Sequence, residues 1–539
     1  MAQLESVGFW GGSSRSPAFE GAELVRLAQR IREPVHVIRD PASGRLGLAH
    51  SGHLRMNSQA NGSPTLPLMA TLPALYPEWL GDRSFSELYG TRFPYVVGAM
   101  ANGIATVELV VAAARSGLLG FFGAAGLSFD RVQAAVTELN AQLGSELPWG
   151  ANLIHSPTEP ELEQRVAAMY IEQGVRLVSA SAYMELSPAI VHYALSGITE
   201  GPAGEIDRRH HVFAKVSRPE VAAQFMSPAP ARIVERLLAD GRITRVEAEL
   251  AKRVPIAEDI TVESDSGGHT DNRPLGSLFP IIARAAVEYQ ERFAYSRRFR
   301  VGAAGGLGTP AAVAAAFGLG AAYVLTGSVN QCAVESGLSE EGRVMLCGAG
   351  VSDMMMAPAA DMFEMGVKLQ VLKRGTLFGP RAIKLYELYR NYDSLEAIPA
   401  ETKTKLERDI FGQSVDSVWT EVEQFFSKRE PKQLERASRD AKHRMALIFR
   451  WYLGLSSRWA IAGNSERRSD YQIWCGPAMG AFNDWVRGSE LESAQSRTVS
   501  QIALNLLEGA AVLTRAHQLR TYGVATPPEL FQFHPRQLS

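Results

Sequence analysis

From Pro94 onward, short apolar runs alternate with longer segments in which apolar residues recur at helical spacing. The runs are Pro94–Ala99, Leu118–Phe122, Gly150–Ile154, Arg176–Ala180, His211–Val216, Asp259–Glu263, Phe299–Ala303 and Ala322–Thr326. Between them the spacing predicts helices over 105–116, 128–142, 159–173, 187–196, 276–294 and 310–318, and another that starts near Arg218. Residues 227–257, rich in Arg and Glu, read as an extra helical insertion. Eight such units are what a (β/α)8 TIM barrel needs, with an open doubly wound sheet as the alternative. The fold class expected is α/β, with the barrel over 86–360.

The flanks follow other patterns. Residues 1–85 look irregular, with short strands around the Pro-Ala-Ser-Gly turn of HVIRDPASGRLGLAHSG, and read as a small N-terminal cap. Residues 361–490 are rich in Met, Leu, Lys, Glu and Tyr and read as a mostly helical, substrate-binding lid. Residues 491–539 hold a last helix, near 498–520, that returns to the barrel.

Composition narrows the function classes. With 55 Lys+Arg against 57 Asp+Glu, the chain lacks the broad positive field that nucleic-acid binding exploits. Apolar residues at 46% rule against disorder. The cysteines, Cys332, Cys347 and Cys475, are too few and scattered for a disulfide framework, and no CxxC pair suggests a structural metal. The N-terminus does not read as a secretory signal, and no clean apolar stretch of about 20 residues predicts a membrane span. The expected compartment is the cytoplasm.

In a TIM barrel, chemistry collects at the C-terminal strand ends, and the last two loops commonly bind phosphate. Here those loops are Ala304-Gly305-Gly306-Leu307-Gly308-Thr309 and Gly327-Ser328-Val329-Asn330. Glycines let backbone N–H groups approach phosphate oxygens, and Thr309-Pro310 looks like a helix start behind them. Tight turns alone are the simpler explanation for either cluster taken singly. Ala99, Met100 and the small residues after the first strand would suit a flat ring. Asn152 and Ser179 stand at the ends of the third and fourth strands. Lys215 ends the fifth, as a snorkelling surface lysine, a cation for a cofactor, or a Schiff-base nucleophile. After the sixth strand, Glu263-Ser264-Asp265-Ser266-Gly267-Gly268-His269-Thr270-Asp271 gathers hydrogen-bonding groups, with His269 as a candidate acid and Asp265 or Asp271 to orient it.

The motifs GAMANGIAT, NLIHSP, AKVSRPEVA, DSGGHTDNRP, RVGAAGGLGTP and LTGSVNQ, in this order, resemble those of the PfaD-type trans-acting enoyl reductases. These are nitronate monooxygenase-like flavin barrels of polyunsaturated fatty acid and trans-acyltransferase polyketide synthases. The likeness runs from about residue 8 to about residue 528 and takes in APAADMFEMGVKLQVLKRGTLF and ALNLLEGAAVLTRA. It implies FMN as cofactor, NADPH as hydride donor and acyl carrier protein as partner. It also implies Gly305, Gly306, Gly327 and Ser328 at the phosphate. Ala99, Met100, Asn152 and Lys215 would line the ring, Ser264 and Gly268 would lie beside it, and His269 would face the substrate. Met354, Met355, Met356, Met362 and Met365 would line an acyl tunnel or simply pack the lid. Lys368, Lys373, Arg374, Arg381 and Lys384 would receive a carrier protein or form a solvated face. A homodimer is compatible with a lidded barrel of this size. The rival readings are a small-substrate nitronate monooxygenase, a Lys215 aldolase, and a non-catalytic synthase scaffold.

Overall fold

The computed structural model describes residues 5–12, 16–56, 65–157 and 159–539. Eight parallel strands close into a barrel. They are β1 (Tyr95–Val97), β2 (Leu119–Phe122), β3 (Trp149–Ile154), β4 (Leu177–Ser181), β5 (His211–Val216), β6 (Asp259–Glu263), β7 (Arg300–Ala304) and β8 (Val324–Thr326). The ring closes where Leu325 of β8 faces Val96 of β1. The expected barrel is therefore present, with strand limits within a residue or two of the sequence pattern. The insertion after β5 is helical, with helices Ala231–Ala239 and Arg245–Leu250.

Alternation along the strands sorts side chains between the barrel interior and the helix layer. The inward set is layered. At the N-terminal end, Asp259 takes both Arg300 Nε and Nη2 at 2.8 Å and accepts a bond from the Tyr89 hydroxyl. Above it an aromatic layer fills the bore: Phe213 lies 5.1 Å from Phe121 and 5.6 Å from Tyr323, centre to centre, and Phe85 stacks on Tyr323 at 4.7 Å. Phe85 and Tyr89 come from the helix Arg83–Tyr89, which plugs the lower end. The bore is thus solid below, and only its C-terminal rim is open for chemistry.

The N-terminal region is a five-stranded antiparallel sheet in the spatial order Leu46–Ala49, Val35–Arg39, Thr65–Leu72, Gly8–Gly11, His53–Arg55. The helix Val499–Thr521 runs between this sheet and the barrel. Its Ala516 and Leu519 share a core with Leu24, Val35 and Leu48. At Gly509 it meets the barrel helix Pro310–Gly318 so closely that a Cβ there would lie 2.6 Å from Pro310 Cβ.

Lys368–Leu372, inside the range read as a helical lid, is a strand, as is Met354–Pro358 at the end of the range read as barrel. Met354–Pro358 and Lys368–Leu372 form an antiparallel hairpin, and Gly268–His269 adds a third strand to it. Met, Leu and Lys are good helix formers, so local propensity misleads here and pairing with the loop after β6 decides. The hairpin separates two cores. Leu369, Val371 and Ala357 face a helical unit built from Phe378–Asn391, Val415–Arg429 and Ala441–Ala462, whereas Leu372 and Met354 face the barrel. The methionine run is split accordingly, since Met355 packs against Gly379 of the helical unit and Met365 is exposed. Cys332 and Cys347 approach to 3.9 Å between sulfurs as free thiols. Among the described residues no helix is long and apolar enough to cross a membrane.

Candidate active site

The inward alternation places Asn152, Lys215 and Glu263 near the top of the barrel, with Ser179 lower, level with Phe213 in the β4–β5 register and one inward position below Ser181. Each sits two residues above an inward neighbour: Gly150, Leu177, Phe213 and Thr261. Lys215 Nζ lies 2.5 Å from Glu263 Oε1 across the β5–β6 pair, and the two side chains are 23% and 14% exposed. Ser266 Oγ donates to the same carboxylate oxygen at 3.0 Å. The lysine is therefore partnered and aimed by a carboxylate, and a Schiff-base role would first have to break that pair. Glu263 went unassigned in sequence. Lys215 is in register with Thr261, so the pair runs diagonally to Glu263 two residues higher on the adjacent strand.

Asn152 donates its amide to Ser179 O at 2.9 Å and to Ser181 Oγ at 3.1 Å, so Asn152 and Ser179 stitch β3 to β4. This geometry leaves the Asn152 carbonyl oxygen as an acceptor. Ala99 packs at the edge of the barrel interior, while Met100 is buried in the surrounding helix layer. The Met100 carbonyl presses on the end of β2, where a Cβ on Gly123 would collide with it.

The loop after β6 is pinned rather than free. Buried Ser264 donates to Ala304 O at 2.8 Å. Asp265 accepts from Gln370 Nε2 at 2.7 Å, and Asp271 accepts from Ser217 Oγ at 2.7 Å and from both ends of the Arg218 guanidinium. The Arg218 bonds hold the Asp271 carboxyl below the usual carboxylate range. Neither aspartate orients His269. Its Nε2 instead meets Asp361 Oδ1 at 3.2 Å, on the rim, with the ring 41% exposed. Asp361 and Gln370 lie about 90–100 residues downstream, out of reach of any local pattern.

The glycine loops end side by side, because β7 and β8 are paired. Gly305 has φ +86, and a Cβ there would strike Ser264 Oγ at 2.5 Å, so this position requires glycine. At Gly306 and Gly327 a Cβ would meet nothing within 4 Å. Among the described residues the N–H groups of Gly306, Gly327 and Ser328 donate no hydrogen bond. Thr309 caps the helix behind them by accepting the Ala312 N–H, and Pro310 takes its first position, as expected. An open cradle with unspent donors suits a phosphate.

A family model for nitronate monooxygenase matches residues 83–377, which includes the whole barrel. The chain belongs to the nitronate monooxygenase family. A second model, the inserted helical domain of [acyl-carrier-protein] S-malonyltransferase, matches residues 392–471, within the helical unit of this family member. The enoyl reductase domain of MlnA, from the macrolactin biosynthesis cluster of Bacillus amyloliquefaciens, is 38% identical with a TM-score of 0.79. That likeness covers 82% of this chain and 99% of the MlnA domain. One of the polyunsaturated fatty acid synthase proteins of Thraustochytrium sp. is 45% identical over 494 residues, or 90% of this chain and 32% of the relative. Polyketide biosynthesis protein PksE of Bacillus subtilis is 42% identical over 445 residues, or 83% of this chain and 58% of the relative. The chain thus spans a third to three fifths of the length of these two curated relatives. The resemblance seen in the motifs is borne out across barrel and helical unit together.

Proposed function

We propose that the chain is a trans-acting enoyl reductase. It reduces the α,β double bond of enoyl thioesters on acyl carrier protein, with FMN as cofactor and NADPH as hydride donor, in polyketide or polyunsaturated fatty acid synthesis. The observation that carries the reading is the upper rim itself, where a lysine–carboxylate pair and strand-end amides stand beside an open cradle of unspent N–H donors. The neighbouring enoyl reductase domain and the synthase relatives support it.

FMN, when bound, relays hydride from NADPH to the β-carbon. Gly305, Gly306, Gly327 and Ser328 would hold its phosphate, with Ser264 and Gly268 flanking the ring. Lys215, aimed by Glu263, would supply the ring with a cation, and the Asn152 side-chain carbonyl would offer it an acceptor. His269 donates the proton to the α-carbon, and Asp361 fixes its orientation. The helical unit covers the rim, and we assign it the acyl carrier protein. Arg381 and Arg374 are already engaged by Asp470 and Asp353, so Lys368, Lys373 and Lys384 are the cations left for docking. The proposed compartment is the cytoplasm.

The test is the visible spectrum of the purified chain, followed anaerobically with NADPH and then a crotonyl thioester. Flavin bands should bleach with NADPH and return with the thioester. A colourless chain that FMN does not reconstitute would sink the proposal. In His269→Ala, bleaching by NADPH should persist while reoxidation by thioester slows on the order of 100-fold. An unchanged reoxidation rate would remove His269 as donor.

A further inference from the structure

One short segment touches every loop on the phosphate side of the rim. Residues Trp474–Ala478 arrive after the helical unit, about 150 residues downstream of β8, and outside the range matched by the barrel family model. On the β6 loop, a Cβ on Gly267 would lie 2.7 Å from Cys475 N. On the β7 loop, a Cβ on Gly308 would collide with Ala478 O. On the β8 loop, Gly476 N–H donates to Ser328 Oγ at 3.1 Å, and Gln331 Nε2 donates to Trp474 O. Buried Gln370 ties the segment down, since its carbonyl accepts Cys475 N–H at 3.3 Å while its side chain holds Asp265 and Ser266.

The bond to Ser328 has a direction. Gly476 donates, so it occupies a lone pair on Oγ and leaves the hydroxyl proton uncommitted. Among the described residues that hydroxyl donates to nothing. It stands beside the unspent N–H groups of Gly327 and Gly306, where a dianion would collect all three.

We propose that Trp474–Ala478 is a retaining strap for the phosphate monoester of the flavin. It clamps the loops after β6, β7 and β8 in one arrangement and turns the Ser328 hydroxyl proton toward the phosphate. This rests on the flavin assignment above. It goes further in giving the region beyond the barrel a part in cofactor retention, specific to the phosphate end.

The experiment compares FMN with riboflavin, which carries the same ring without the phosphate. Full-length apoprotein is titrated with each by flavin fluorescence quenching. Gly308→Ala drives a methyl into Ala478 and lifts the strap, Ser328→Ala removes the hydroxyl, and Ser328→Thr retains it. FMN affinity should fall about tenfold in Gly308→Ala and Ser328→Ala, as for a lost charge-assisted hydrogen bond. Riboflavin affinity should not change, and Ser328→Thr should hold FMN as the parent does. Equal FMN affinity in all variants would overturn the strap, as would equal losses for both flavins. Should Gly308→Ala misfold by its apoprotein melting curve, Gln331→Leu, which frees Trp474 O, should show the same FMN-selective loss, and unchanged FMN affinity there would overturn the strap. A parent chain that binds neither flavin would instead bring down the flavin assignment, and the strap with it.

Discussion

The two ends of the barrel put ion pairs on neighbouring strands, β6 shared between them, to opposite uses. At the lower end, β6 and β7 contribute Asp259 and Arg300, which are 0% and 6% exposed in the side chain and joined by two bonds, from Nε and from Nη2. At the upper end, β5 and β6 contribute Lys215 and Glu263, paired as closely but reachable from the rim. One pair is sealed under an aromatic layer and the other is left accessible. The distinction lies in height along the strand, not in residue type. A charge at the bottom serves the fold because nothing can reach it, and the same chemistry four residues later is available to a ligand.

Substitution should separate the two ends. Arg300→Ala strands a buried carboxylate and should cost about 3–5 kcal/mol of stability by urea unfolding. A loss under about 1 kcal/mol would erase the contrast. Lys215→Ala should do the reverse. Turnover of enoyl thioester should drop on the order of 100-fold, with the urea midpoint nearly that of the parent. Comparable loss of stability in both variants would mean that the upper pair is structural too.

Acid sharpens the comparison further. Burial lowers the His210 imidazole at the lower rim from 6.5 to about 4, and burial together with nearby Arg208 and Arg300 holds His211 well below 6.5. The unfolded chain therefore takes up these protons first. The stability tied to His210 is complete above pH 6.5 and drains as pH falls toward 4, at up to about 1.4 kcal/mol per pH unit, and His211 acts in the same direction. Melting curves at pH 7 and pH 5 should show this, and His210→Gln should flatten the trend. An unaltered slope in that variant would exclude His210 as its source. The smallest effect belongs to Asp271→Asn, where the partner Arg218 is 43% exposed and solvent screens the pair. Loss of under about 1 kcal/mol is expected in a paired unfolding experiment, and a larger one would make this loop clamp part of the core.

Much of this was legible in the sequence because the barrel writes itself locally. Short, near-continuous apolar runs marked β5 and β6 at their observed limits, and the Thr309-Pro310 start marked the helix behind the phosphate loop. Lys215 and Asn152 stood out by strand-end position and by the motifs AKVSRPEVA and NLIHSP. What escaped was everything joined across long separations. Glu263, Asp361 and Gln370 acquire meaning only when neighbouring strands and the hairpin are assembled. The hairpin itself was hidden by helix-favouring residues, since its strand character comes from pairing with Gly268 and His269. The segment at Trp474–Ala478 offered only a Gly-Pro break between helical stretches, which says that the chain turns but not what it turns against.

The helix Val499–Thr521 completes a core whose other half is made hundreds of residues before it. Leu24, Val35 and Leu48 leave the ribosome hundreds of residues before Ala516 and Leu519, which complete their core. At roughly 5–20 residues per second, the N-terminal sheet waits on the order of half a minute or more with an apolar face uncovered. Chaperone demand during synthesis should therefore concentrate on this sheet and ease only when the helix Val499–Thr521 is made.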